Sequence, residues 1–520
     1  MHGTEGRKLS DKIVRNTRYN FFWKLWEIVA ALFLTPYILS HVGLERYGIW
    51  ALVTLVTGYF GLLDLGIGAA YVKHISECYS NKDRNGLNEI INTGFSFYLI
   101  FSVVIILLAF LFIHPIMGIL KIPSGLQSEA SVVIICGIAL FGFSGAASVF
   151  SAVQAGLQRM DISVKISMVS SMLNVIGVIL MLSNGAGLIG LMLNNIIVFF
   201  IATVINVIVA YKLLPGLVFA PFVRVKKAVF MKLFSFGYRM QIVRLGELVL
   251  YQTDRLLIAI FFGVKFVGIY QVGAMLVNYA KQLPLFLLPA ALPAAAEIST
   301  RKDTVKLVQL YLRGTKYLFV ITAPIMALLV SLAHLVVKLW VGDGYGISAT
   351  IVQILAAGYL VNVTVGMAFT VGMGIGLTKM LSRSAMITML VNLILSVILI
   401  KLIGFYGVAI ATSIALITGP VYIYFELHRY LDISVMDLLR NVIFKPFLAS
   451  IVAGLSAYCA QLFFFAAPVS GRPELLLMFL SCGTVFALVY VVGIFALKCL
   501  DDYDMNLIRK QFSFLAVRAR

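Results

Sequence analysis

Between residues 232 and 262 an otherwise apolar stretch carries Gln241, Arg244, Glu247, Tyr251, Asp254 and Arg255. At 100° per residue these fall within an arc of about 140°, a polar stripe along one helix face. Arg239 lies off the stripe, near one end, where its long stem can carry the charge out to water. The next stretch repeats the pattern more weakly with Gln271, Asn278, Lys281 and Gln282. Nearer the start, Lys24 and Glu27 stand three residues apart, and Asp64 sits among Gly58, Gly61, Gly66 and Gly68. A charge at membrane depth costs roughly 2.5–3.5 kcal/mol on insertion scales, so each needs a reason. Arginine grips phosphate oxygens with two parallel hydrogen bonds, and lysine binds them as a point charge. The stripe therefore reads as the lining of a cationic, water-filled cavity. Arg244 and Lys281 are its leading anion contacts. Lys24, Arg255, Asp64, Gln241, Tyr251 and Asn278 complete it, with Glu247 and Asp254 read first as partners of the bases. The alternative is that Arg244 with Glu247, and Lys24 with Glu27, are ion pairs that hold a bundle together. Asn174, Asn194, Asn195 and Asn392 read as hydrogen-bonding glue between helices.

The surroundings are those of a membrane protein. Of 520 residues, 61% are hydrophobic and 12% charged, with mean hydropathy +1.00; soluble domains carry about a quarter charged residues. Apolar runs of about 20 residues or more recur, enough to cross ~30 Å of hydrocarbon as helices. Fourteen such spans are predicted, near 20–42, 47–74, 90–114, 129–155, 162–183, 187–211, 232–262, 266–297, 312–338, 347–373, 380–402, 405–427, 441–465 and 475–498. The fold class is thus all-α integral membrane. Alternate connections hold 30 of the 41 Lys and Arg on one side and six on the other. The positive-inside bias then predicts that both termini are cytoplasmic. The five cysteines have no metal-like spacing and read as small buried hydrophobes.

The chain also repeats itself. Gly43-Leu44-Glu45-Arg46-Tyr47-Gly48-Ile49-Trp50 aligns with Gly263-Val264-Lys265-Phe266-Val267-Gly268-Ile269-Tyr270, and Gly156-Leu157-Gln158-Arg159-Met160 with Gly376-Leu377-Thr378-Lys379-Met380. Asn174 matches Asn392, and Gly190 matches Gly407, after a slip of two or three. The expected organisation is a cytoplasmic segment 1–19, an N-lobe 20–212 and a cytoplasmic linker 213–231 with Pro215 and Pro221. A C-lobe 232–428, two appended helices in 429–498 and a tail 499–520 follow. Six helices per copy make a parallel repeat about the membrane normal, which suits alternating access. Pro284, Pro289 and Pro293 are expected to kink the eighth span.

Several stretches resemble the polysaccharide transporter branch of the multidrug/oligosaccharidyl-lipid/polysaccharide exporter superfamily. They are Arg15-Asn16-Thr17 through Pro36-Tyr37, Tyr47-Gly48-Ile49-Trp50 and Leu63-Asp64-Leu65-Gly66-Ile67-Gly68. In the second half they are Asp254-Arg255-Leu256-Leu257-Ile258, Gly268-Ile269-Tyr270, and the run of prolines into Glu297. The resemblance covers about residues 12–430. It implies twelve or fourteen helices in two lobes around a central cavity. It also implies a Wzx-type flippase that moves undecaprenyl-pyrophosphate-linked oligosaccharides across a bacterial inner membrane for O-antigen, lipopolysaccharide or exopolysaccharide assembly. The partners are then a lipid-linked anionic glycan, membrane lipids and other polysaccharide assembly proteins.

Three other classes fit the sequence less well. A cation-coupled multidrug or metabolite exporter of the same superfamily would place acids in its cavity, whereas five bases face four acids at membrane depth here. A membrane enzyme needs a large outer loop, and the longest, near 115–128, carries little chemistry. Nucleic-acid binding does not follow from the net charge of +19, because the bases are spread over short loops. Nothing in the sequence calls for a cofactor or metal, and no G-x-x-x-x-G-K phosphate loop is present.

Overall fold

A computed structural model describes residues 2–60, 67–223, 225–464 and 471–506, with side chains for all of these except 2–22, 54, 58–60, 67–69, 232, 235–251, 290 and 464. The described residues are helical throughout, without a strand: α1 (His2–Phe60), α2 (Ile67–Ser80), α3 (Arg84–Ile119), α4 (Gln127–Gly156), α5 (Met160–Ser183), α6 (Gly187–Leu213), α7 (Lys227–Phe262), α8 (Val264–Leu285), α9 (Ala291–Thr300), α10 (Thr304–Ser331), α11 (Ala333–Val341), α12 (Gly346–Thr364), α13 (Gly366–Gly374), α14 (Thr378–Ile403), α15 (Tyr406–Leu431), α16 (Val435–Leu438), α17 (Phe444–Phe464) and α18 (Arg472–Ala496). The all-α membrane class holds. Among the described residues eleven helical stretches are long and apolar enough to cross a membrane, so the count of fourteen is not confirmed. The first two predicted spans run on as Trp23–Thr57, bent at Gly43. The predicted eighth span is divided: the proline run breaks it at 286–290 into α8 and α9, where a kink was expected.

Large apolar side chains left open on the helices, such as Leu111 at 69% and Val492 at 65%, belong against lipid tails. The chain divides into two compact units, Met1–Gln271 and Val272–Arg520. In the first, α3 packs on α4, α4 on α6, and α2 against α4 and α7. Its core gathers Tyr71, Ile75, Tyr98, Val149 and Phe150. In the second, α14 lies along α15, and α12 against α15 and α10. The two last helices are built into this unit: α17 packs on α10 and α18, around Leu332, Ala453, Ala457 and Cys482.

Local geometry recurs at the offset of the sequence alignment. Gly43 (φ 80°, ψ 170°) and Gly263 (φ 84°, ψ 176°) make the same turn between helices, in a region of backbone space that essentially only glycine enters. One turn later the two copies touch reciprocally. A Cβ on Gly48 would strike the Val264 carbonyl, and one on Gly268 would lie 2.8 Å from the Leu44 carbonyl oxygen. Lys82 and Lys302 both hold φ 56°. The following Asp83 and Asp303 each cap the next helix, accepting from Gly86 N–H at 2.8 Å and Lys306 N–H at 3.0 Å. Asn194 donates to Asn174 Oδ1 at 2.6 Å, and Asn392 donates to Thr412 Oγ1 at 2.9 Å, each across 20 residues.

The segment after α6 is a strap. Residues 217–220 lie along the polar face of α3 and lead into a turn at 221–223, where Phe222 takes φ 67°. Val218 N–H donates to Asn88 Oδ1 (2.9 Å), Ala220 N–H to Asn92 Oδ1 (2.7 Å) and Phe222 N–H to Ser96 Oγ (2.9 Å). Between the Asn88 and Asn92 bonds the registers match because four helical residues rise about 6.0 Å and two extended residues about 6.6 Å. Phe219 fills the space between Phe95 and Phe150, and Lys226 pairs with Glu89 at 2.5 Å. The 36 residues of α3 span about 54 Å, well beyond the hydrocarbon, so its polar first turns can lie outside the lipid.

Candidate functional site

The predicted stripe lies on α7, whose helical course is continuous from Lys227 to Phe262. The side chains of Gln241, Arg244, Glu247 and Tyr251 fall outside the described ones, as does residue Asp64 altogether. The far end of the stripe is visible. Asp254 is buried, 3% exposed, and its Oδ2 accepts a short hydrogen bond from the Tyr270 hydroxyl. A carboxylate removed from water is costly unless it is hydrogen-bonded, and Tyr270, just past the Gly263 turn, supplies that bond. Arg255, half-buried one residue on, donates from Nη1 to Gln252 Oε1 at 3.0 Å. Near the start of the chain Lys24 Nζ lies 2.7 Å from Glu27 Oε2, both side chains about half open.

In the second unit, α8 positions Asn278 and Lys281 against α12. The Lys281 ammonium stands 4.3 Å from the centroid of the Tyr359 ring, and the Tyr359 hydroxyl donates to Asn278 Oδ1 at 3.3 Å. An ammonium over an aromatic face is attracted to the negative face of the ring. Asn278 and Lys281 are three residues apart and so share a face of α8; Tyr359 is the residue that joins them. Sequence reading passed over Tyr359. The signal present was a phenolic hydroxyl inside an apolar span, and such hydroxyls take a partner when buried.

The structure therefore groups Asp254 with Tyr270, Lys281 with Tyr359 and Asn278, and Lys24 with Glu27. Among the described residues no set of three His, Cys, Asp or Glu comes together as metal ligands. Asn174, Asn194 and Asn392 form hydrogen bonds between helices, as their type suggested.

Comparison with known proteins places this arrangement in a family. The sequence profile of the polysaccharide biosynthesis protein family matches residues 42–350. A candidate O-antigen transporter of Shigella flexneri is 24% identical over 416 residues, 78% of this chain and 95% of its own length. The uncharacterized membrane protein EpsK of Bacillus subtilis is 23% identical over 96% of this chain and 98% of its own. Among solved structures, the lipid II flippase MurJ in an inward closed conformation superposes with TM-score 0.71 at 17% identity, covering 92% of this chain and 98% of that one. An inward-facing multidrug resistance MATE transporter of the MOP superfamily superposes with TM-score 0.67 at 14% identity, covering 79% and 94%. At these identities the likeness is one of fold. The chain belongs to the polysaccharide biosynthesis protein family and carries the fold of the MOP-superfamily transporters.

Proposed function

We propose that this protein is a flippase that carries undecaprenyl-pyrophosphate-linked oligosaccharide units across the bacterial inner membrane, by alternating access, for O-antigen or exopolysaccharide assembly. The observation that carries the reading is Lys281, a cation on a membrane helix held against Tyr359 within reach of Asn278. Such a group suits the phosphates or acidic sugars of a lipid-linked glycan. The names of the Shigella relative and of the MurJ neighbour support the substrate class. Two parallel six-helix lobes, cytoplasmic termini, and Arg244 as a second anion contact belong to the same proposal.

Deletion of the gene in its native host should abolish surface glycan and accumulate the lipid-linked precursor. Arg244→Ala and Lys281→Gln should each do the same while the protein persists in the membrane, and Arg244→Lys should restore only part, since a point charge cannot reproduce the fork. Full glycan export by stable Arg244→Ala and Lys281→Gln proteins would refute the cationic site. A second reading, a cation-coupled exporter, draws on the buried Asp254, which could exchange a proton, and on the MATE neighbour. It requires drug or metabolite efflux that depends on a proton or sodium gradient and is lost in Asp254→Asn.

A further inference from the structure

Where α2 gives way to α3, the turn and the first residues of the strap enclose a cavity of about 650 Å³. Its lining includes Ser80, Lys82 and Arg84 together with Leu87, Leu214 and Pro215. Lys73 and Lys226, close by in the chain, have carboxylate partners in Glu77 and Glu89. Among the described residues Lys82 and Arg84 have no ion-pair partner. The guanidinium of Arg84 lies over Gly216, which sits at φ 96°; a Cβ there would come within 3.8 Å of Nη1.

The repeat separates what the turn needs from what it does not. In the second unit the same turn is made by Lys302 and Asp303, with the same left-handed lysine and the same capping aspartate. The residue in the place of Arg84 there is Thr304. The turn thus forms without an arginine, so the turn itself does not account for Arg84.

We propose that this cavity binds a phosphate group, supplied by an anionic phospholipid headgroup or by free phosphate. Arginine offers phosphate a bidentate fork and Lys82 adds a second charge. The volume is that of an ordinary small-ligand pocket. The leucine and proline wall suits the glycerol and first methylenes of a lipid. The charge bias of the loops assigns this face to the cytoplasmic leaflet, where anionic lipids concentrate. The inference is independent of what the protein transports.

The test uses the purified full-length chain. Native mass spectrometry from mixed phosphatidylglycerol and phosphatidylcholine micelles compares wild type with Lys82→Asn/Arg84→Gln, two exposed positions; asparagine suits the left-handed backbone at 82. Two bases at a membrane surface, each worth roughly fivefold, predict about a 30-fold loss of phosphatidylglycerol retention with phosphatidylcholine unchanged. Arg84→Lys should keep part of it. Ser80→Trp, which fills the mouth and leaves both bases, should also lower it. In a parallel arm, delipidated protein is titrated with inorganic phosphate. Phosphate binding that the double variant loses, with no lipid selectivity, would support the site and assign it to a solute. Equal phosphatidylglycerol retention in wild type and double variant, together with no phosphate binding, overturns the proposal.

Discussion

Replacing Asn92 with Leu should free the strap from α3. Asn92 is fully buried and serves the strap in both directions: Nδ2 donates to the Val218 carbonyl at 2.8 Å, and Oδ1 accepts from Ala220 N–H at 2.7 Å. Leucine fills a similar volume and offers neither group. A net hydrogen bond is worth about 1 kcal/mol, and a buried group left unmade costs about 1–3 kcal/mol. Losing two bonds from the strap then lowers its local docking energy by about 2–3 kcal/mol, even with the Ser96 bond to Phe222 intact. At 1.4 kcal/mol per tenfold that is about a 30- to 150-fold rise in the opening equilibrium. Amide hydrogen exchange, under conditions where reclosing outpaces chemical exchange, reads this ratio directly at Val218, Ala220 and Phe222. Ser102→Ala is the control, because the Ser102 hydroxyl bonds only within α3, to the Tyr98 carbonyl at 2.6 Å. Equal strap exchange in the two variants would show that the strap is held by its aromatic contacts and that the hydrogen-bonded register does not matter.

Tyr270→Phe removes the hydroxyl donor to Asp254 and should destabilise the first unit by about 1–3 kcal/mol, seen as a lower detergent melting temperature; an unchanged melting temperature would show that this bond adds nothing to stability. Asn194→Leu and Asn392→Leu break matching interhelical bonds and should cost similar amounts, about 1 kcal/mol each; a large disparity in thermal shift would separate the two contacts. Burial works against the charge of Asp504, but hydrogen bonds from Lys316 and Tyr317 prevail and hold its carboxyl at about 2. Its folded value is therefore below the ordinary carboxylate value of about 3.9. Its stabilisation is complete above about pH 4 and is lost as pH falls toward 2. Exchange at 501–506, corrected for intrinsic rate, should stay flat from pH 8 to 5 and rise below 4, whereas Asp504→Asn should be fast throughout; a flat profile down to pH 2 would show that the Asp504 carboxylate does not hold this segment.

Much of this fold is written in one-dimensional pattern. Apolar runs of membrane length fix the helices, and glycines in paired positions mark the turns at Gly43 and Gly263. The Glu77…Lys82-Asp83 and Glu297…Lys302-Asp303 turns were equally legible at the same offset of 220, yet a reading centred on glycines passed them by. The proline run gave the place of a discontinuity but not its kind, because the depth of a kink depends on what neighbouring helices can satisfy. The strap was invisible as such. Asn88, Asn92 and Ser96 do stand at helical spacing, but their partners are backbone groups about 126–130 residues away, and backbone groups leave no mark in sequence. Charged side chains announce a site. The residue that gathers Lys281 and Asn278 is Tyr359, which side-chain type alone hides among core aromatics.

The strap also sets an order of events during synthesis. Its bond between Asn88 and Val218 joins residues 130 apart. At about 5–20 residues per second the ribosome needs roughly 6–26 s to make the second partner after the first. Throughout that interval the nascent α3 presents Asn88, Asn92, Thr93 and Ser96 before the strap that meets them exists. The first turns of an overlong helix are where water or the insertion machinery can serve those groups while they wait. Closing the strap afterwards is a late step, and it ties the third helix down only once the sixth has been threaded.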